Sequence, residues 1–216
     1  MEAKRSSARE AAFSALMSCE KQGAWSDQAI RSAARKWALS ARDAALASNL
    51  CYGVVQNQLL LDFWIDTFST TPAVKLDPEV RISLRMALYQ LRFLDRIPAS
   101  AAVNESVGLV RRYTRNKGAA GLTNAVLRSF QRAEMPPEPA FDDPLQNLSV
   151  RYSHPLPLVR LLSDELDGDV EPLLAADNAP TDMVVQCNTL KIGVTALKKE
   201  LECSGAVVQP YPWLND

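Results

Sequence analysis

The sequence predicts a mainly α protein: an all-α helical domain, then a proline-rich linker, then a small, incomplete α/β segment. Three observations carry this. Apolar residues recur at helical spacing from Phe13 to Phe130 with no strand signal among them. Four prolines (Pro136, Pro137, Pro139 and Pro144) crowd the stretch after Met135. Only beyond Met183 do short β-branched runs flank a helical stretch. The boundaries that follow are 1–134 for the helical domain, 135–147 for the linker and 148–216 for a helical connector with the partial α/β segment.

Ser7-Ala-Arg-Glu10 reads as a capping box, with Ser7 accepting from the helix start and Glu10 reaching back. Phe13, Leu16 and Met17 then supply a core face. A second helix fits Asp27–Lys36, after the Gly23 break. Ser40-Ala-Arg-Asp43 opens a third, whose apolar stripe (Ala47, Leu50, Val54, Leu61, Trp64, Ile65, Phe68) runs to about Ser69. Gly53 and Gln56-Asn57-Gln58 mark a kink or a break in it. Trp64 and Trp37 read as core.

After a loop, Pro78 starts a helix in which Val80, Leu84, Ala87, Leu88, Leu91 and Leu94 form one stripe, leaving Arg81, Arg85 and Arg92 off it. Pro98 starts the next, with Val103, Val107 and Val110 facing inward. The last helix of the domain buries Leu122, Val126 and Phe130. Past the linker, Pro155–Leu166 and Val170–Ala176 read as helices. Met183–Cys187 and Ala206–Gln209 read as strands either side of a helix at Thr195–Cys203. Two strands are too few for a stable sheet, so the chain reads as stopping inside a domain.

The net charge of −1 hides an asymmetry. Residues 1–134 carry 19 Lys/Arg against 12 Asp/Glu, whereas residues 135–216 carry 5 against 13. From Ser106 to Ala133 there is no acid, yet Arg111, Arg112, Arg115, Lys117, Arg128 and Arg132 are all present. As an isolated run this is compatible with a solvated helix face; a one-sign patch is also the footprint of a polyanion site. Lys4, Arg5 and Arg9 extend it if the N-terminus is ordered. Tyr113 is the one aromatic placed for base stacking. Asn104, Glu105 and Asn124, beside the apolar stripes, read as buried or half-buried groups that fix helix and loop geometry.

Cys19, Cys51, Cys187 and Cys203 lack CxxC spacing and His154 is the single histidine, so neither a zinc site nor a disulfide framework is supported. Cys187 and Cys203 read as small buried groups, and His154 lacks a relay partner for catalysis. The polar N-terminus and the absence of a long apolar run give no signal peptide or membrane span. A reducing cytoplasm is the expected home.

Four segments carry a resemblance: Asp77-Pro-Glu-Val-Arg-Ile-Ser-Leu-Arg85, Tyr89-Gln-Leu-Arg-Phe-Leu-Asp-Arg-Ile-Pro98, Ala102-Val-Asn-Glu105 and Thr123-Asn-Ala-Val-Leu-Arg128. Together they resemble the NusB-like helical domain. More narrowly they are similar to the N-terminal domain of bacterial small-subunit ribosomal RNA cytosine-5 methyltransferases of the RsmB, or Sun/Fmu, type. Tyr152-Ser-His-Pro155, Ala176-Asp-Asn-Ala-Pro180, Cys187-Asn-Thr-Leu-Lys191 and Pro212-Trp-Leu214 resemble the segment before the catalytic domain of those enzymes.

The resemblance implies an RNA-binding part of an S-adenosylmethionine-dependent enzyme, with ribosomal RNA as partner and Arg5, Arg9, Arg111, Arg112, Arg115, Lys117, Arg128 and Arg132 as its contacts. No cofactor is expected on this chain, because no glycine-rich loop follows a strand. No cysteine follows a proline or threonine as the family's catalytic pair does, so no catalytic residue is expected either. Val185-Gln186-Cys187-Asn188 also departs from the family's Leu-Arg-Val-Asn, so an arginine role does not transfer there. Two other readings are a free-standing NusB-like antitermination factor, which the 80 residues after the linker disfavour, and a protein-interaction module without RNA.

Overall fold

The computed structural model describes residues 8–133, 135–166, 169–180 and 183–210. Two compact units divide the chain, Met1–Asn178 and Ala179–Asp216.

In the first unit, α1 (Ala8–Gln22), α2 (Ser26–Lys36), α3 (Ala41–Gln56), α4 (Gln58–Phe68), a 3-10 turn (Ala73–Lys75), α5 (Pro78–Phe93), α6 (Ala99–Tyr113) and α7 (Ala119–Arg132) build the main core. The central helix is α5, which packs on α1, α3, α4, α6 and α7. It is therefore buried around most of its circumference, from Ile82 through Leu88 without a gap. That corrects the single-stripe reading. Arg85, expected outside, is buried, and its guanidinium forks onto Asp62 with Nε–Oδ1 and Nη2–Oδ2 both 2.7 Å. A charge is tolerated there because bidentate pairing and a second carboxylate, Glu20 at 3.4 Å, replace its hydration. Arg81 also pairs with Glu20. Burial alone would raise the Glu20 carboxyl, but Arg81 and Arg85 overcome it and hold the group below the usual carboxylate range.

Gly53 is not a kink. Helix α3 runs through it, and the break falls at Asn57. A Cβ on Gly53 would lie 2.0 Å from Tyr89 Cζ, so the glycine is where α5 lays a ring against the α3 backbone. Ser40 caps α3 as the sequence indicates, accepting from Asp43 N at 3.2 Å. The Ser7 half of the first capping box lies outside the described residues. Its Glu10 half also makes long-range bonds, described below.

The proline-rich stretch does not separate two bodies, because the first compact unit continues to Asn178. Trp64 Nε1 donates to Pro137 O at 3.0 Å and Phe141 meets Phe63 edge-on, so the linker residues run along α4. Then α8 (Pro144–Arg151), α9 (Leu156–Glu165) and α10 (Glu171–Asn178) gather around Val159, Val170 and Leu174. The Tyr152-Ser-His-Pro155 motif ties this group to the larger core. Ser153, at φ +59°, accepts from Leu59 N at 2.8 Å and so serves the open N-terminus of α4, which Asn57 leaves without a side-chain cap. Asn178 donates to Tyr152 O at 2.7 Å and accepts from Gln56 Nε2 at 3.1 Å. Dense reciprocal bonding of this kind outweighs the extended backbone that the prolines impose locally.

In the second unit, α11 (Val194–Cys203) follows a turn at Asn188–Ile192 and is closed by Gly205 at φ +92°. The two strands expected at Met183–Cys187 and Ala206–Gln209 are not formed; among the described residues there is no strand. A strand requires a ladder partner, and α11 itself buries no residue, so nothing in this unit draws the two runs together.

Candidate nucleic-acid interface

Helices α6 and α7 pack on each other and on α5 through Ala102, Val103, Ser106, Val107, Leu109 and Val110 on one side and Ala119, Thr123, Val126, Leu127 and Phe130 on the other. The turn between them is built by side chains. Asn116 N donates to Thr114 Oγ1 at 3.2 Å, and Asn116 Oδ1 accepts from Gly118 N at 3.0 Å in an Asx turn that launches α7. Arg111, Arg115, Lys117, Arg128 and Arg132 are exposed around this turn and along the two helices. Spacing by four residues within α7 puts Arg128 and Arg132 on a common side, while Arg115 lies in the turn beyond the end of α6. Arg132 is steadied by Ser129 Oγ at 3.0 Å.

Arg112 differs from its neighbours. Its Nη1 reaches Glu10 Oε1 at 2.6 Å, and Tyr113 Oη donates to the same oxygen at 2.5 Å. The Glu10 side chain is only 3% exposed while that of Arg112 is 51% exposed. Glu10 therefore anchors the C-terminal turn of α6 to α1. The carboxylate raises Arg112 further, by hydrogen bond and charge. Burial, then the bond to Glu10, pushes the Tyr113 phenol above its usual value. With its ring stacked on Phe13 at 4.9 Å and its hydroxyl on Glu10, Tyr113 has a structural role while remaining 39% exposed. Arg9 Nε donates to the buried Gln90 at 2.6 Å, which directs that guanidinium toward α5. Lys4 and Arg5 lie outside the described residues.

Asn104, Glu105 and Asn124 are exposed, contrary to the reading of them as buried polar groups. Periodicity carries the signal that corrects it: Val103, Val107 and Val110 centre the inward face, and Asn104 lies about 100° around the helix from Val103. Glu10 was the residue the sequence concealed, since an acid at a helix start is so often a cap.

Elsewhere, His154 Nδ1 lies 2.8 Å from Tyr152 O and its Nε2 3.6 Å from Asp177, which makes the ring part of the Tyr152–Pro155 junction. Cys51 is buried and pushed up to about 12, by desolvation first and by Cys19 second, so its thiol stays protonated and unreactive. Cys187 is half-buried, with Sγ 3.2 Å from Ile192 O, and Cys203 is exposed; neither is the fully buried group expected. Among the described residues there is no cluster of His, Cys, Asp and Glu able to hold a metal, and no helix is long and apolar enough to cross a membrane.

Comparison with known proteins gives a consistent pattern. Residues 6–132 match the NusB family. A probable ribosomal RNA small subunit methyltransferase B of Bacillus subtilis is 31% identical over 207 residues, 95% of this chain and 46% of that protein. The similarly described Synechocystis protein is 36% identical over 186 residues, 86% of this chain and 42% of its own length. The chain thus spans a little under half of each. Among solved structures, one of the antitermination factors NusB and NusE in complex with dsRNA superposes with a TM-score of 0.55 at 22% identity, over 62% of this chain and 99% of that one, which is a likeness of fold.

Proposed function

Because the chain belongs to the NusB family, we propose that it is the RNA-binding part of a small-subunit ribosomal RNA cytosine-5 methyltransferase and that the α6–turn–α7 face is its RNA-binding surface. One observation carries the proposal: Arg111, Arg115, Lys117, Arg128 and Arg132 stand exposed along a 28-residue stretch, Ser106 to Ala133, that contains no acid. Cations so placed neutralise phosphates and release condensed counterions, giving affinity that falls steeply with salt. Arg112 is left out of the contact set because Glu10 holds it.

Methyl transfer from S-adenosylmethionine is proposed for the whole length of such an enzyme. No step of that transfer is assigned to the residues of this chain. Work on ribosomal RNA would place the protein in the cytoplasm. The alternative of an antitermination factor draws on fold likeness, whereas the methyltransferase relatives extend the match through the second unit. Filter binding of a small-subunit ribosomal RNA fragment at two salt concentrations tests the proposal. Binding that weakens with salt and is lost when Arg111, Arg115 and Lys117 are together changed to glutamate supports it; binding indifferent to that triple change refutes it.

A further inference from the structure

Tyr113, the last residue of α6, is 39% exposed although two of its sides are taken. One face of the ring stacks on the buried Phe13 at 4.9 Å, and the hydroxyl donates to the buried Glu10 at 2.5 Å. The exposed area therefore falls on the opposite face and the ring edges. Among the described residues no second ring and no guanidinium is stacked there: Tyr113 pairs with Phe13 alone, and the cation–π contact of the chain is Arg92 on Phe93. A ring held at its back and at its hydroxyl loses little freedom when something is laid on its front.

Its surroundings indicate what that would be. Between Ser106 and Ala133 there is no acid, and the aromatics are Tyr113 and Phe130, of which Phe130 is buried. The other exposed aromatics among the described residues, Trp25, Tyr52, Phe93 and Phe141, belong to other segments, so Tyr113 is the ring this basic stretch presents. Arg115 is exposed and follows two residues on, no more than about 7 Å along the chain, close enough for its guanidinium to reach a phosphate adjoining a base on the ring. Glu10 brings no repulsion, because its side chain is 3% exposed and already holds Arg112 and the Tyr113 hydroxyl. The phenol, pushed up by burial and then by Glu10, stays neutral. A fixed, uncharged ring beside cations matches the stacking platforms on which unpaired bases are bound.

Resting on the RNA-binding reading above, we infer that the outer face of Tyr113 is the platform on which one unpaired base of the RNA stacks, with Arg115 on an adjoining phosphate. In a continuous duplex each base is already stacked between its neighbours and has no face to offer. The site therefore selects RNA with a bulge or loop over an uninterrupted RNA helix.

Fluorescence anisotropy on the full chain tests this with two probes, a short RNA duplex carrying one bulged fluorescent base analogue whose emission falls on stacking, and the same duplex without the bulge. The bulged RNA should bind tighter by about tenfold, the worth of one base–aromatic stack, and its emission should fall on binding. Tyr113→Leu should lose that tenfold and the fall in emission, bind the uninterrupted duplex as before, and keep the wild-type salt slope, because stacking releases no counterion. Tyr113→Phe keeps the ring and loses only the bond to Glu10, so it should retain the preference for the bulge even where its Tm is lower. Equal binding of the two RNAs by the wild type, unchanged emission, a folded Tyr113→Leu chain that keeps the preference, or loss of the preference in Tyr113→Phe overturns the inference. The wild-type comparison needs no substitution and so decides the matter even if Tyr113→Leu fails to fold. If charge reversal at Arg111, Arg115 and Lys117 abolishes binding while the two RNAs bind the wild type alike, the RNA-binding reading stands and only the platform falls.

Discussion

Arg112 and Arg111 are adjacent arginines with different surroundings, one paired with Glu10 and one exposed, and replacing each separates the ion pair from the proposed RNA contact. Arg112 holds a carboxylate that is 3% exposed, at 2.6 Å, from a position itself 51% exposed. Removing one partner of a fully buried pair costs about 3–5 kcal/mol, and an exposed pair is worth about 0–1 kcal/mol. With one partner buried and the other half in water, Arg112→Met should cost about 1–2 kcal/mol, or a Tm fall of roughly 2–8 °C for a unit of this size. Glu10 would keep the Tyr113 hydroxyl at 2.5 Å, which limits the loss. Arg111→Met removes an exposed cation and should leave stability within about 0.5 kcal/mol. RNA affinity should follow the reverse order, falling for Arg111→Met and holding for Arg112→Met at temperatures where both are folded. Urea melts beside binding isotherms read both quantities. Equal stability of the two variants would refute the Glu10 anchor.

Three other perturbations follow from the packing. Gly53→Ala places a methyl 2.0 Å from the Tyr89 ring and should cost about 1–3 kcal/mol in urea melts, with partial recovery when Tyr89→Leu is added; a neutral effect would mean the α3–α5 contact is looser than described. Ser153→Ala removes the acceptor for Leu59 N and should cost about 0.5–2 kcal/mol, with faster amide exchange at the start of α4; unchanged exchange there would remove Ser153 as its cap. Glu20 and Glu79 both have carboxyls held below the usual range. For each, burial acts the other way and is overcome, by Arg81 and Arg85 at Glu20 and by Lys21 at Glu79. Their contribution is complete above the ordinary carboxylate range and is lost as pH falls through the depressed folded values. The urea midpoint should therefore drop on acidification below about pH 4.3. Arg81→Met should flatten that drop, and an unaltered acid limb would show that the pairing at Glu20 does not set it.

The helical half was legible because its signals are local. Apolar spacing, Ser40 as a cap and Pro78 at a first helical position depend on residues within a turn or two, and α3, α5, α6 and α7 lie where those signals put them. What was not legible depends on residues far apart in sequence. Arg85 is inside because Asp62 on another helix receives it, and Glu10 is an anchor because Arg112 arrives from α6. Gly53 shows the same limit, since glycine reads alike as a flaw in a helix and as the seat of a ring from elsewhere. Beyond residue 134 a cluster of prolines reads as a spacer, and the bonds from Trp64 and Ser153 that make it part of the first unit have no periodic signature. The two β-branched runs had strand composition but no partner, and composition alone does not make a ladder. The basic face was visible as charge; which cations are spent internally was not.

The salt dependence of RNA binding tests the α6–α7 face most directly. A site contacting phosphates through several of these cations should give a plot of log affinity against log salt with a negative slope, and each cation removed should make it shallower by about 0.7–0.9. Arg111→Gln and Arg128→Gln should each do so, and Arg112→Gln should not. Equal slopes for the wild type and the Arg111 and Arg128 variants, or a loss of slope confined to Arg112→Gln, would contradict the placement of RNA on this face.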